Sequence, residues 1–334
     1  MTQPNVEPRH APRVVDAHIH AVPPALIQKI DRGLFSEVAV SGDEHCYRFR
    51  FPGMQPSPPS PSGLTDFALL AEWGRDRHID IQIVGPWTDL LGYTLSRAEA
   101  AAWSRAYNED LVRACADHAG LVPMATIPLQ FPDLAVNEME HAHAMGCRGV
   151  MIGSDIPGLA IDAPELDEVW GAAAGLSLPM LLHPTFIRIP QELQSRGLKN
   201  AVARVGEVTI ALTRLVYSGA LLRYPNLVVI AALGGGAVVP FTKRIIRNHD
   251  LGWSETGTDV EASLQRLFFD SVVLDPTFLR YLVQQVGAHR LVMGSDYPFP
   301  WEPDPVRSVL EAGLPVEDAS AVLGGTASKL FGLV

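Results

Sequence analysis

Eight short apolar runs recur along the chain, at residues 13–20, 79–86, 121–128, 147–154, 179–185, 226–233, 266–273 and 290–298. Segments of helical pattern separate them, among them 96–118, 131–146 and 275–287. Alternation repeated this often predicts a parallel sheet, because each crossover helix returns the chain to begin the next strand in the same direction. Eight such units within 334 residues favour a closed (β/α)8 TIM barrel over an open doubly wound sheet. Runs such as "NLVVIAAL" (226–233) are apolar on both faces, as strands are when one face meets the barrel core and the other a helix.

One segment breaks the rhythm. Residues 34–63 contain "FSEVAVSGDEHCYRFRFPGM", which alternates like a small hairpin, and then "QPSPPSPSG", too rich in proline for the interior of a helix or strand. The chain therefore reads as a single barrel domain over 1–334, with 34–63 as a small β-rich insertion subdomain after the first strand. No repeat of solenoid period is present.

Charge and composition narrow the partners. With 26 basic and 37 acidic residues the formal charge is −11, which disfavours attraction to nucleic acid or to an anionic membrane. No run approaches the roughly 18 apolar residues of a membrane helix. The first residues carry no apolar core of the signal-peptide kind. Cys46, Cys115 and Cys147 are odd in number and fall in no redox or metal-binding spacing, which suits a reducing compartment. The expected setting is cytoplasmic and the expected partner a small molecule.

The chemistry concentrates at strand ends. "DAHIH" sets His18 and His20 two apart on the first strand, where i and i+2 share a face. Alone, such a pair is more often two polar residues at a solvated strand end. Here "LLHPT" ends the fifth strand with His183, and "MGSDYP" ends the eighth with Asp296. Barrel active sites assemble from the C-terminal ends of different strands, so these four residues converge on one mouth. Three imidazoles and a carboxylate suit zinc or a similar divalent ion. His45, His78, His118, His141, His143, His249 and His289 lie in helices, loops or the insertion and are read as non-functional.

These motifs resemble the amidohydrolase superfamily, and within it the 2-amino-3-carboxymuconate-6-semialdehyde decarboxylase-like branch. The likeness extends through "LLGYTLSRAEAAAWSRAYNEDLV" (90–112), "IPLQ" (127–130), "GGG" (234–236) and "GSDYPFP" (294–300), in order and spacing, over nearly the whole chain. It implies a barrel with one divalent ion, zinc before manganese, and a homodimer. No lysine ends the fourth strand in "CRGVMIGS", so the carbamylated lysine that bridges two metals elsewhere in the superfamily has no counterpart. The resemblance also implies substrate-binding roles for Arg50, with Arg48 as its register alternative, and for Arg244, the latter reaching across the dimer interface.

Two positions depart from the branch. Its His-Gly-Gly-Gly segment supplies a general base, whereas this chain reads "LGGG" with Leu233 at the matching place. A leucine takes no proton. The glycines themselves fit no phosphate loop, since the Walker lysine and the GxGxxG spacing are both absent. Thr185 and Phe186 stand where the branch has tryptophan after its "HP" motif. The leading expectation is a metal-dependent non-oxidative decarboxylase, a carboxy-lyase of an unsaturated or aromatic carboxylate, with Asp296 as both ligand and proton relay. A hydrolase or hydratase that uses an ion-activated hydroxide is the alternative, and a catalytically silent metal-binding homologue is the third.

Overall fold

A computed structural model describes residues 13–333 apart from 44, 45, 186, 189 and 255. Among the described residues there are ten strands: β1 Val15–Ala21, β2 Ala39–Asp43, β3 Cys46–Arg50, β4 Ile81–Pro86, β5 Leu121–Pro123, β6 Val150–Gly153, β7 Met180–His183, β8 Val229–Ala231, β9 Phe268–Asp270 and β10 Leu291–Val292. Eight of these run parallel, in the neighbour orders β1-β4-β5 and β6-β7-β8-β9-β10. Single parallel bridges join the two sheets at both seams, Ala125 with Val150 and Ile19 with Tyr297. This is the strand order of a (β/α)8 barrel, and all eight predicted runs supply a strand.

The strands are shorter than the apolar runs that announce them. Run 121–128 yields three paired residues, because Pro123 and Pro128 lack the amide hydrogens a ladder needs. The predicted helices persist almost whole, as Arg97–Ala116, Pro132–Ala144 and Pro276–Val286. The last shows why: Asp275 caps it by accepting from the Thr277 amide, Pro276 occupies the first turn, and Leu279, Leu282 and Val283 form its buried stripe.

Side chains sort by strand parity. Met180 and Leu182 of β7 pack outward under the helices with Trp170 and Leu212, while Leu181 joins Ile83, Met151, Ile230 and Val292 in the centre. Parity then turns His183 inward beside Leu181. After β1 comes the hairpin β2–β3, antiparallel with Phe49 opposite Val40. Phe49 is buried against Trp87, whereas Arg48 and Arg50 share the exposed face of the hairpin.

Candidate metal centre

Three imidazoles and one carboxylate meet where β1, β7 and β10 end. The ligand atoms of His18, His20, His183 and Asp296 all lie within 4.8 Å of one another, and all four residues are buried. The three rings stand 5.1, 4.9 and 5.0 Å apart, with interplanar angles of 80°, 89° and 89°. Near-perpendicular rings at equal spacing converge on a point instead of stacking.

Each imidazole is oriented through its outer nitrogen. His18 Nδ1 bonds Asp270 Oδ2 at 2.6 Å, His20 Nδ1 bonds the Pro86 carbonyl at 2.8 Å, and His183 Nδ1 bonds the Pro184 carbonyl at 2.8 Å. Carbonyl oxygens only accept, so His20 and His183 carry their proton on Nδ1 and turn an Nε2 lone pair inward. Such outer partners fix the tautomer and ring angle of metal-binding histidines.

The inner atoms fit a cation. His18 Nε2, His183 Nε2 and Asp296 Oδ2 are buried without a hydrogen-bond partner among the described residues. Each such atom costs about 1–3 kcal/mol if left unpaired. His20 Nε2 faces Asp296 Oδ1 at 2.9 Å, two acceptors in contact unless a proton or cation lies between them. An ion with ligand bonds of about 2 Å would satisfy all of them after small inward rotations.

Electrostatics agree with this arrangement. Burial favours a neutral Asp296, but the His20 contact, a hydrogen bond whenever a proton sits on Nε2, and the fields of His18, His20 and His183 together hold its carboxyl well below the usual range. His183 is pushed well below the ordinary histidine value by burial and by its two neighbouring imidazoles, so it is a neutral donor. For His18, burial works downward, yet the Asp270 hydrogen bond and the fields of Asp296, Asp270 and Asp16 bring it above the ordinary value. Burial lifts the Asp16 carboxyl to about 7 against the Ser295 hydrogen bond.

Two supporting carboxylates position the ligands. Asp16 accepts from Ser295 Oγ at 2.5 Å, and the Asp296 amide donates to the His18 carbonyl at 2.8 Å, which stitches the loop after β10 to β1. Asp270 accepts from the Gly234 amide at 2.7 Å as well as bonding His18. The sequence reading missed Asp270. Its signal is an aspartate at the C-terminal end of the seventh barrel strand, the position where barrel chemistry collects.

The glycine segment is a turn. Leu233, Gly234, Gly235 and Gly236 all have positive φ, and a Cβ on Gly235 or Gly236 would lie 2.6 Å from Phe269 or Thr209. Its amides are engaged within the protein: Gly234 to Asp270, Gly235 to the Ala232 carbonyl, Gly236 to the Leu233 carbonyl and Ala237 to Thr209 Oγ1. These four are therefore not presented to a phosphate.

Leu233 lines a cavity of about 390 Å³ beside the centre, together with Asp296, Arg204, Val272, Phe278 and Trp301. Neither arginine singled out from the sequence lines it. Arg50 is exposed on the hairpin, and Arg244 is exposed on the helix Thr242–Asp250, beside a separate cavity with Tyr217 and Trp253. Arg204, which the sequence reading did not single out, is the cationic side chain in the wall. Thr185 donates its amide to Glu207 at 2.7 Å; Phe186 and His45 lie outside the described residues.

Fold and site together define a parallel-barrel protein with one buried centre suited to a divalent metal. The chain belongs to the amidohydrolase family, whose model matches residues 15–333. A 2-amino-3-carboxymuconate-6-semialdehyde decarboxylase of Dictyostelium discoideum is 24% identical over 334 residues, covering 96% of this chain and 91% of that protein. The crystal structure of Metarhizium anisopliae IDCase in apo form superposes with a TM-score of 0.82 at 22% identity, covering 96% of this chain and 97% of that one. A 5-carboxyvanillate decarboxylase from Novosphingobium aromaticivorans, complexed with manganese and a nitrobenzoic acid, gives 0.78 at 19% identity, with 96% of each chain covered.

Proposed function

We propose that the protein is a metal-dependent carboxy-lyase that removes carbon dioxide without oxidation from an aromatic or unsaturated carboxylate. The observation that carries this reading is the cluster itself, with three inward Nε2 atoms and Asp296 at the edge of a largely apolar cavity. Relatives of similar length named as decarboxylases support the choice of reaction. His18, His20, His183 and Asp296 would hold the ion. The donor set suits zinc, and manganese, present in the 5-carboxyvanillate decarboxylase complex, is the second candidate.

The ion would supply Lewis acidity toward a ligand oxygen. The chain supplies the rest. Leu233, Val272 and Phe278 exclude water and leave the ring or double bond an apolar wall. The bond from carbon to the carboxylate breaks, its electron pair stays on carbon, and a proton must arrive there. Asp296 borders both cluster and cavity and is the relay: a carboxylate at rest, it would take up a proton from solvent water, pass it to the carbon as carbon dioxide leaves, and return to its ionised form.

The catalytic unit in this proposal is the whole barrel domain acting in the cytoplasm as a homodimer. Val202, Ile210, Phe241, Leu251 and Trp253 are exposed apolar side chains on or beside the helices Arg204–Ser218 and Thr242–Asp250, with Trp253 71% exposed. A second copy on this face would cover them and bring Arg244 toward its neighbour's cavity, while Arg50 would approach from the hairpin. The test is carbon dioxide release from a panel of hydroxylated and dicarboxylated benzoates. Release by the zinc- or manganese-loaded protein and none by His183→Ala supports the reading; equal release by both contradicts it.

A further inference from the structure

The cavity wall that begins at Leu233 and Asp296 continues outward to the surface. Val272, Val273 and Leu274 follow one another along it and pass from buried through half-buried to 51% exposed. Phe278 of the helix Pro276–Val286 lines it too, and Trp301 and Val205, 39% and 36% exposed, belong to the same wall. Apart from Asn200, Arg204, Asp296 and the indole nitrogen of Trp301, its side chains are hydrocarbon. An apolar track therefore runs from the centre to solvent.

Leu274 marks the outer end by its backbone as well as by its exposure. Its φ of +62° lies in the left-handed region, which is unfavourable for a leucine and suits glycine or asparagine. Strain of this kind persists where a site uses the side chain that it presents. Single apolar residues on a surface need no explanation. Leu274, Trp301 and Val205 are different, because they share one cavity that opens onto the metal cluster. A charged substituent lying along such a wall would lose its water with few partners in return, whereas a hydrocarbon one would remove apolar surface from water. Leu233 suits the same occupant, since it opens the track with carbon.

We propose that the substrate carries a hydrocarbon arm, an alkyl or alkenyl substituent, which lies along this track with the reacting end at the cluster and the far end at the rim beside Leu274 and Trp301. The track starts at Asp296, so what fills it is continuous with what meets the ion. The proposal rests on the decarboxylase reading only for which bond breaks. The arm itself can be measured without turnover.

The test is calorimetric titration of the zinc-loaded protein with straight-chain alkyl hydroxamates, from acetohydroxamate to decanohydroxamate, whose head group binds zinc whatever the reaction. Affinity should rise about two- to fourfold with each added methylene, the upper figure being that of a fully buried one, until the chain reaches solvent. Leu274→Asn, which suits the left-handed backbone, and Trp301→Ser should each flatten the gain for the longest chains. Acetohydroxamate affinity and zinc content should stay at wild-type values, which separates a lost track from a lost fold. A flat series in the wild-type protein, or an undiminished gain in both variants, overturns the arm. So does a halved mass of Leu274→Asn in light scattering, which would assign the rim to a second copy of the chain. The two readings fail separately. A rising series with no carbon dioxide from any benzoate, alkylated or not, removes the decarboxylase reading and leaves the apolar track. Carbon dioxide release at equal kcat/KM from 2-hydroxybenzoate and its alkylated forms, with a flat hydroxamate series, removes the arm and leaves the reaction.

Discussion

His18 is held by a carboxylate 252 positions away in the chain, and that separation shows which residues a sequence exposes and which it conceals. The four cluster residues were legible because each sits in a recognisable strand-end motif. Asp270 was not, since an aspartate after "LFF" acquires its role only from what folds against it. Asp270→Asn should weaken zinc affinity by about 10–100-fold while the fold persists, measured by competition with a chelator. Wild-type affinity in that variant would mean that His18 needs no outer partner. Leu233→His offers a sharper contrast. A missing general base is worth about 10²–10⁴ in rate, so if Asp296 already moves the proton, kcat for the natural substrate should change by less than about threefold. A rise of that larger size would move the relay away from Asp296.

Thiol reactivity is also decided residue by residue. Cys46 is exposed, whereas Cys115 and Cys147 are buried. Burial raises both buried thiols, Cys115 with some help from Cys147, and Cys147, near Glu138, to about 12. One thiol per native chain should therefore react with an aromatic disulfide at pH 8, and all three after unfolding. Two or more reacting natively would contradict the packing around Cys115 and Cys147.

Elements explain where pattern and structure diverge. Alternating apolar runs marked eight strands, but proline and register trimmed them, and the three-residue β8 hands over at once to the left-handed turn at Leu233. The turn braces the centre, because Asp270 bonds both Gly234 and His18. Gly235→Ala combines a disfavoured φ of +75° with a Cβ 2.6 Å from the Phe269 ring. It should cost about 1–3 kcal/mol of stability, read as a lower denaturation midpoint together with lower zinc retention. An unchanged midpoint would show that the turn relaxes freely. The hairpin β2–β3 was visible in the alternation of 35–54, yet its facing was not: Arg48 and Arg50 are two apart and share the outward side, leaving Phe49 to reach Trp87.

At the scale of the whole molecule, the barrel order could be read from repetition alone, whereas assembly and substrate could not, because neither leaves a period in the sequence. The exposed apolar face around Ile210 and Trp253 leads us to expect twice the chain mass in light scattering, and Ile210→Asp should shift it toward one chain. A wild-type protein that stays monomeric at high concentration would remove Arg244 from any partner's cavity. The central claim is that the buried centre breaks a bond from carbon to carboxylate. It is tested most directly with a carboxyl-13C aromatic carboxylate turned over by the metal-loaded protein in 18O-labelled water. The account predicts 13C-labelled carbon dioxide in the headspace and an aromatic product free of 18O. A product that gains 18O and retains its labelled carboxylate would contradict it and assign the site to hydrolysis or hydration.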